Sequence, residues 1–411
     1  MRRDLNRAAL TELLARPGVR RAFAALDQPG AETRLVGGCV RDALLGAPSA
    51  DIDLATTLLP DVVMAAAKQT PGLKAVPTGI DHGTITLVTE DGPIEVTTLR
   101  EDVETDGRHA IVRFGRDFIR DAERRDFTVN ALSLSPDGRL HDTVDGLPDL
   151  VAGRMRFIGD PATRIREDAL RILRFFRFHA RFGVGQPDAD ALDACVAAQA
   201  ALDRLSRERV RSEFLKLLAA AGAPAMVAIL SATGLLQRIT GGVGEAGRLE
   251  RAAAASLSPV MRLAALAVSG RHDADRLRER LRLANQEHAQ LTGYADALAD
   301  LHGRAEITDA TARALAVEHS LPLLTETLAI LSGEPRPVVT DDARRVMQDL
   351  GVAPMFPLTG ADLVAAGVKP GPAIGHGLAT ARKIWLARGC PLGAEAKANL
   401  LAQALESARG I

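Results

Sequence analysis

A chain of 411 residues, 47% hydrophobic and 25% charged, is long enough to bury several cores, so two to four domains are expected. Its formal net charge of −1 excludes a globally basic nucleic-acid binder and leaves only local patches for any RNA contact. Three scattered cysteines, Cys39, Cys195 and Cys390, form neither a disulfide framework nor a metal-spaced pair. No apolar run approaches the roughly 18–20 residues that cross a bilayer, so a cytoplasmic protein without membrane contact is expected.

The opening MRRDLNRAALTELLARPGVRRAF is Arg-rich and amphipathic, as a transit peptide would be, but Asp4 and Glu12 favour a surface helix. Short β-rich runs then alternate with helical stretches: RLVGGCV, DIDLATT, HGTITLV, IEVTTL and NALSLS. From Arg164 strand signals nearly vanish, and Ala- and Leu-rich amphipathic segments run to the C-terminus. The fold class is therefore α+β: a mixed sheet plus helices over residues 1–150, an all-α neck over 151–240, and an all-α body and tail over 241–411.

The strongest chemical signal is LVGGCVRDALLG, residues 35 to 46, followed by Asp51-Ile52-Asp53. Gly37 and Gly38 read as a strand-to-helix turn whose backbone N–H groups approach a phosphate closely, with Arg41 and Asp42 just beyond as further nucleotide-binding candidates. Asp51 and Asp53, at i and i+2 on a strand, point to one face, where two like charges are costly unless a divalent cation lies between them. Nucleotidyl transfer uses that arrangement: one metal activates a 3′-hydroxyl, another steadies the triphosphate. Glu95, in IEVTTL, is the best-placed third carboxylate, which makes Asp51, Asp53 and Glu95 the catalytic and metal-binding set for Mg²⁺.

GGxVRDxLLG followed by DxD resembles the first motif of the class II tRNA nucleotidyltransferase and bacterial poly(A) polymerase family. The resemblance continues in order through ERRDFTVNAL (123–132), DTVDG (142–146), EDALRILR (167–174) and RLSRERVRSE (204–213), about the first 220 residues. It implies a polymerase-β-like nucleotidyltransferase head, Mg²⁺, and tRNA, CTP and ATP as partners. Within the family VPTGIDHGTIT (76–86) looks closer to the CCA-adding members. Poly(A) addition, partial CC or A addition, and a non-catalytic RNA-binding protein remain the alternatives.

Arg124-Arg125-Asp126 ends an acidic helical stretch and enters a strand read as FTVNALSL. Arg125 is the residue expected to grip nucleotide, and Asp126 or Asn130 to meet a ribose 2′-hydroxyl. On a helix, Asp168, Arg171 and Arg174 fan over an arc of about 120° while Ile172, Leu173 and Phe176 face a core. Asp168 offers acceptors and Arg171 donors, a pattern that fits the Watson–Crick edges of cytosine and adenine and mismatches guanine and uracil. The resemblance adds Arg174 and Arg177 as phosphate or ring contacts. In the next helix Ser206 is the expected N-cap, Val210, Phe214, Leu217 and Leu218 are core, and Arg209 and Glu213 are read as structural.

Two further readings complete the chain. EDVETDGRHA (101–110) is expected to be a mobile charged loop whose Asp106 and Arg108 adjust the pocket between C and A addition. Beyond Thr240, His272-Asp273 lacks an upstream histidine partner for a metal-dependent phosphohydrolase, PLTGADL and GVKPGPAIG resemble the family's tail, and Trp385 is expected in a core.

Overall fold

The computed structural model describes residues 3–47, 51–105 and 110–409. Residues up to Arg238 form one compact unit and those from Ile239 a second. The first opens with helices α1 (Ala8–Ala15) and α2 (Pro17–Leu26), so the N-terminal stretch is helical as its amphipathicity suggests. Strand β1 (Thr33–Val36) leads through Gly37 into α3 (Gly38–Leu44), and β2 (Ile52–Thr56) follows. After α4 (Pro60–Gln69) come β3 (Lys74–Gly79), β4 (Thr84–Thr89) and β5 (Gly92–Thr98).

These strands, with β8 (Ser133–Leu134) and β9 (Leu140–His141), form a seven-stranded mixed sheet in the order β3-β4-β5-β2-β1-β8-β9. Only β2 and β5 pair in parallel; the other neighbours are antiparallel. Alternation sends Ile52, Leu54, Ile94 and Val96 into the core and turns Asp53 and Glu95 to the opposite face.

Two stretches differ from the sequence reading. Residues 101–105 and 110 are not loop: β6 (Arg100–Thr105) and β7 (Ala110–Phe114) form their own antiparallel ribbon, and Asp106 and Arg108 lie outside the described residues. FTVNALSL is mostly not strand either. After α5 (Phe118–Glu123), capped by Asp117 at the Ile119 N–H (2.8 Å), residues Thr128–Asn130 make a 3₁₀ turn before β8. The Asp126 carboxylate draws in that turn by accepting from Phe127 N (2.8 Å) and Asn130 Nδ2 (2.9 Å), local bonds that compete with a ladder.

Helix α6 (Gly146–Ala152) is nucleated by Asp142, which accepts from the N–H groups of Gly146 and Leu147, both at 2.8 Å. Then come α7 (Pro161–Glu167), α8 (Arg171–Phe182), α9 (Ala189–Ala197), α10 (Arg207–Ala219) and α11 (Ala223–Ala232). Phe127 and Phe157 pack at 4.7 Å between centroids and meet Phe175 and Phe178 of α8, so one aromatic core joins sheet and helices. Ser206 caps α10 at Arg209 N, with Val210, Phe214, Leu217 and Leu218 buried, as the sequence suggests.

Helix α12 (Leu235–Thr240) crosses the boundary between the units. The second unit is helical: α13 (Ala246–Ala254), α14 (Pro259–Ala267), α15 (Arg271–Leu281), α16 (Asn285–Leu301), α17 (Asp309–His319), α18 (Leu321–Leu331), α19 (Asp341–Asp349), α20 (Gly360–Ala365), α21 (Pro372–Ala387) and α22 (Ala394–Arg409). One two-stranded pair, β10 (Glu306–Ile307) with β11 (Val338–Val339), interrupts it. Trp385 is fully buried against Phe356 and donates Nε1–H to Pro391 O at 3.0 Å, a core residue as expected. Asp273 is occupied at the start of α15, accepting from Ser269 N (2.8 Å) and Gly270 N (3.1 Å). No single helix among the described residues is long and apolar enough to cross a membrane.

The close approach at α6 gives a stability test. A Cβ on Gly146 would press into the Thr128 carbonyl oxygen, whereas one on Gly351 would meet open space. Gly146→Ala should destabilise the first unit by about 1–3 kcal/mol, and Gly351→Ala should stay within ~0.5 kcal/mol, in denaturant unfolding.

Candidate active site

The turn after β1 requires glycine at Gly37, which sits at φ 74° and ψ −126°, with the Arg125 guanidinium where a Cβ would project. Gly37 and Gly38 form one wall of a cleft of about 580 Å³. Asp53 lines it from β2 and Asp51 from the residue just before that strand, so the pair is not wholly on a strand as the spacing suggests. Arg124 to Asp126 and Asn130 line it from the turn after α5, and Asp168 to Arg181 from the α7–α8 region. Thus thirteen of the fourteen residues singled out in the sequence converge on one cleft: Gly37, Gly38, Arg41, Asp42, Asp51, Asp53, Arg125, Asp126, Asn130, Asp168, Arg171, Arg174 and Arg177. The fourteenth, Glu95, is not part of that lining, but it stands directly beside Asp53 in the parallel β2–β5 register.

Electrostatics divide the cleft in two. On the sheet side, burial together with Glu95 and Asp51 raises the Asp53 carboxyl from 3.8 to about 6, although Arg125 opposes the shift. Crowded oxygen donors that resist ionising are what a hard divalent cation relieves. Among the described residues no three acidic, His or Cys side chains converge as a complete metal cage. Mg²⁺ typically takes one or two carboxylates and fills the remaining positions with water and substrate phosphate. Asp51, Asp53 and Glu95 therefore suit such an ion by charge and donor type.

The rest of the lining is rich in arginine. Arg41 is only 4% exposed and lies against Asp42 (Nε–Oδ1 2.8 Å) and Asn130 Oδ1. Burial pulls its pKa down while Asp42 pushes back. Arg174 donates Nε–H to Asp126 at 2.7 Å, and Arg177 to Glu213 at 2.6 Å. Burial opposes ionisation of Asp126, yet Arg174 and the Asn130 hydrogen bond hold it below the usual carboxylate range. Arg125 pairs with Asp121 at 3.0 Å, and Arg124 pairs with the same carboxylate, so both arginines do neutralise the acidic helix while facing the cleft.

Asp168 and Arg171 are not on one helix. Helix α7 ends at Glu167, and Asp168 adopts φ −150° and ψ 107° before α8 begins at Arg171. The cause is local: Asp168 Oδ1 accepts from Leu170 N at 3.0 Å, the side-chain-to-backbone bond that favours a turn over a continuing helix. Its Oδ2 takes Arg209 at 2.8 Å. Arg171 donates to Glu167, to Arg164 O (2.9 Å) and to Arg124 O (3.3 Å). Those three bonds leave two of its five N–H groups, and each Asp168 oxygen keeps a lone pair.

The sequence reading treated Arg209 as purely structural; it lines the cleft and holds Asp168. Arg181 and Lys216 also line it without having been singled out. Their signal was present as helical spacing, Arg177 to Arg181 and Arg209 to Lys216, but arginines on a helix face are more often simply solvated.

Comparison with known proteins fits this arrangement. Residues 33–156 match the Poly A polymerase head domain, and residues 186–241 match a domain described as the probable RNA and SrmB-binding site of polymerase A. The chain is 35% identical over 365 residues to CCA tRNA nucleotidyltransferase 1, mitochondrial, of Danio rerio, covering 86% of this chain and 83% of the relative. It is 33% identical to the CCA-adding enzyme of Limosilactobacillus fermentum, over 87% and 89% of the two chains. The chain belongs to the class II tRNA nucleotidyltransferase and poly(A) polymerase family. A crystal structure of the Bacillus stearothermophilus CCA-adding enzyme in complex with CTP superposes with TM-score 0.72 at 26% identity, covering 98% of each chain. This family member is thus a nucleotidyltransferase with a polymerase-β-like head and a helical body.

The raised Asp53 pKa has a measurable sign. Between 3.8 and about 6 the folded protein holds a proton that the unfolded chain has released. Without divalent metal, that contribution is present below 3.8 and is lost as pH rises to about 6. Asp53→Asn should remove this fall, and Glu95→Gln should move it to lower pH, in unfolding measurements with chelator across that window.

Proposed function

We propose that this protein adds CCA to the 3′ end of tRNA from CTP and ATP, without a nucleic-acid template, by two-metal nucleotidyl transfer. The observation that carries the reading is the meeting of two groups in one cleft: carboxylates at Asp51 and Asp53 with arginines and a carboxylate at Arg171, Arg174 and Asp168. The names of the two relatives, over more than four-fifths of each chain, support tRNA and these nucleotides as substrates.

Asp51 and Asp53, with Glu95 beside them, would hold Mg²⁺, which when bound neutralises triphosphate charge and lowers the pKa of the attacking 3′-hydroxyl. The chain's own residues do the rest. Gly37 and Gly38 let the backbone approach phosphate, with Arg41 and Asp42 behind them, and Arg125 crosses the same turn. Arg174 and Arg177 offer donors to phosphate or ring from α8. Asp126 already accepts from Arg174, Phe127 N and Asn130, so its part is to orient Asn130 and Arg174. Asn130 Nδ2 retains one N–H for a ribose hydroxyl.

Base choice follows from Asp168 and Arg171. Cytosine and adenine each place an amino donor beside a ring-nitrogen acceptor, which matches the free lone pair of Asp168 and the free N–H of Arg171. Guanine and uracil reverse the order and leave both groups unpaired, a mismatch that costs orders of magnitude in rate. Arg209 holds the carboxylate and Glu167 the guanidinium, so the reading pair is oriented before a base arrives.

The decisive experiment is sequencing of 3′ products from tRNA lacking CCA, given CTP alone, ATP alone, or both. Complete CCA with both nucleotides supports the reading; a run of A alone would instead indicate poly(A) addition. Asp53→Ala should abolish incorporation of both nucleotides while leaving the fold intact, and more than about a tenth of wild-type rate would exclude its metal role. Asp168→Ala and Arg171→Ala should raise UTP and GTP incorporation relative to CTP and ATP. A loss of rate with unchanged selectivity would refute the templating pair.

A further inference from the structure

Helix α8 presents Phe178 to the cleft with three guanidiniums around its ring. The Arg177 Cζ lies 4.0 Å from the ring centroid, and those of Arg41 and Arg174 lie 5.2 Å from it. One turn on, Phe182 carries Arg41 at 4.2 Å and Arg181 at 4.7 Å, and the two rings stack at 6.1 Å. Phe178 and all four arginines line the cleft. The ring is itself pinned edge-on against Phe127 at 5.5 Å, so its position is set by the core rather than by the arginines.

Four neighbouring guanidiniums repel one another, and among the described residues three carboxylates pair with them directly. Asp42 serves Arg41 and Arg181, Asp126 serves Arg174, and Glu213 serves Arg177. A fourth carboxylate would steady the array but cancel its charge. An aromatic face attracts cations through its quadrupole and cancels none of their charge. Burial, and to a lesser degree the neighbouring guanidiniums, pull down the pKa values of Arg41 and Arg177, whereas Asp126 outweighs burial at Arg174 and raises it.

We propose that Phe178 is a positioning residue of this site: its ring holds Arg41, Arg174 and Arg177 in a preformed array, without adding negative charge to it, for the polyphosphate of the incoming nucleotide. The inference rests on the reading that the cleft takes a nucleoside triphosphate. It assigns to one apolar side chain the part of binding common to CTP and ATP, apart from base choice. Each guanidinium already touches its carboxylate at one edge, so a non-aromatic side chain removes the surface that fixes the rest of the group, and the array must be reordered on each binding event.

The test uses the full chain with Phe178→Met, Phe178→Leu and Phe178→Tyr, each checked for folding by circular dichroism and thermal unfolding. Tripolyphosphate, which carries the polyphosphate and no base, is the calorimetric probe. Met and Leu should weaken tripolyphosphate about tenfold and raise KM for CTP and ATP alike by about tenfold, while kcat and base selectivity stay within about twofold. Tyr, which keeps the ring face, should restore binding to within about twofold of wild type. Wild-type affinity in a folded Met or Leu variant would overturn the proposal, as would a Tyr variant as weak as Met. Failure of both Met and Leu to fold would make the role one of packing and would overturn it too. A wild-type protein that binds neither CTP nor tripolyphosphate would instead sink the nucleotidyltransferase reading of the cleft.

Discussion

The first unit is organised around the burial of Arg41. A guanidinium removed almost wholly from water is unstable unless each face and edge is satisfied. Asp42 takes its edge, Asn130 takes another N–H, and Phe182 covers a face. Those partners come from three segments: the helix after the glycine turn, the 3₁₀ turn after α5, and α8. Satisfying one charge therefore fixes the carboxylate-bearing sheet relative to the arginine-bearing helix. Asp126 with Arg174 repeats the device a few ångströms away, with a carboxylate as the buried partner.

Much of this was legible in the sequence because chemistry-bearing residues sat in regular elements. The alternation of β2 placed Asp53 on the polar face and IEVTTL supplied Glu95 from the neighbouring strand, though Asp51 falls just before β2; the 3.6-residue period of α8 gave its arginine stripe beside a phenylalanine core. Illegible parts were those where a polar side chain overrides the periodic pattern. Asp126 bends FTVNALSL into a turn, and Asp168 interrupts what reads as one helix from Glu167 to Arg177. In both, a short acidic side chain satisfies nearby N–H groups more locally than a ladder or helix would.

The partnerships were harder still to foresee. Sequence spacing favours Asp168 with Arg171, three residues apart, yet Arg171 turns to Glu167 and Asp168 to Arg209, forty-one residues away. Spacing along a helix predicts only contacts that the helix itself makes. Once the helix breaks, partners are chosen by packing, and α10 brings Arg209 to the exposed joint. Arg181 and Lys216 were passed over for a different reason: their helical spacing was visible, but it does not distinguish a cleft-lining arginine or lysine from a solvated one.

The parallel register of Asp53 with Glu95 has a consequence for how such a chain tolerates change over generations. Parallel neighbours need a crossover, here α4 with the β3–β4 hairpin; β4 pairs with β5 and sets Thr86 opposite Glu95, but the stretch before β3 pairs with neither acid-bearing strand. The length of that stretch is free to drift, because each strand finds its face from its own alternation and pairing. A single residue gained or lost between Ile52 and Asp53, or between Ile94 and Glu95, turns the acid inward among Leu54 and Val96. Insertions and deletions in descendants should therefore gather in the crossover and be purged from two short stretches only a few residues long.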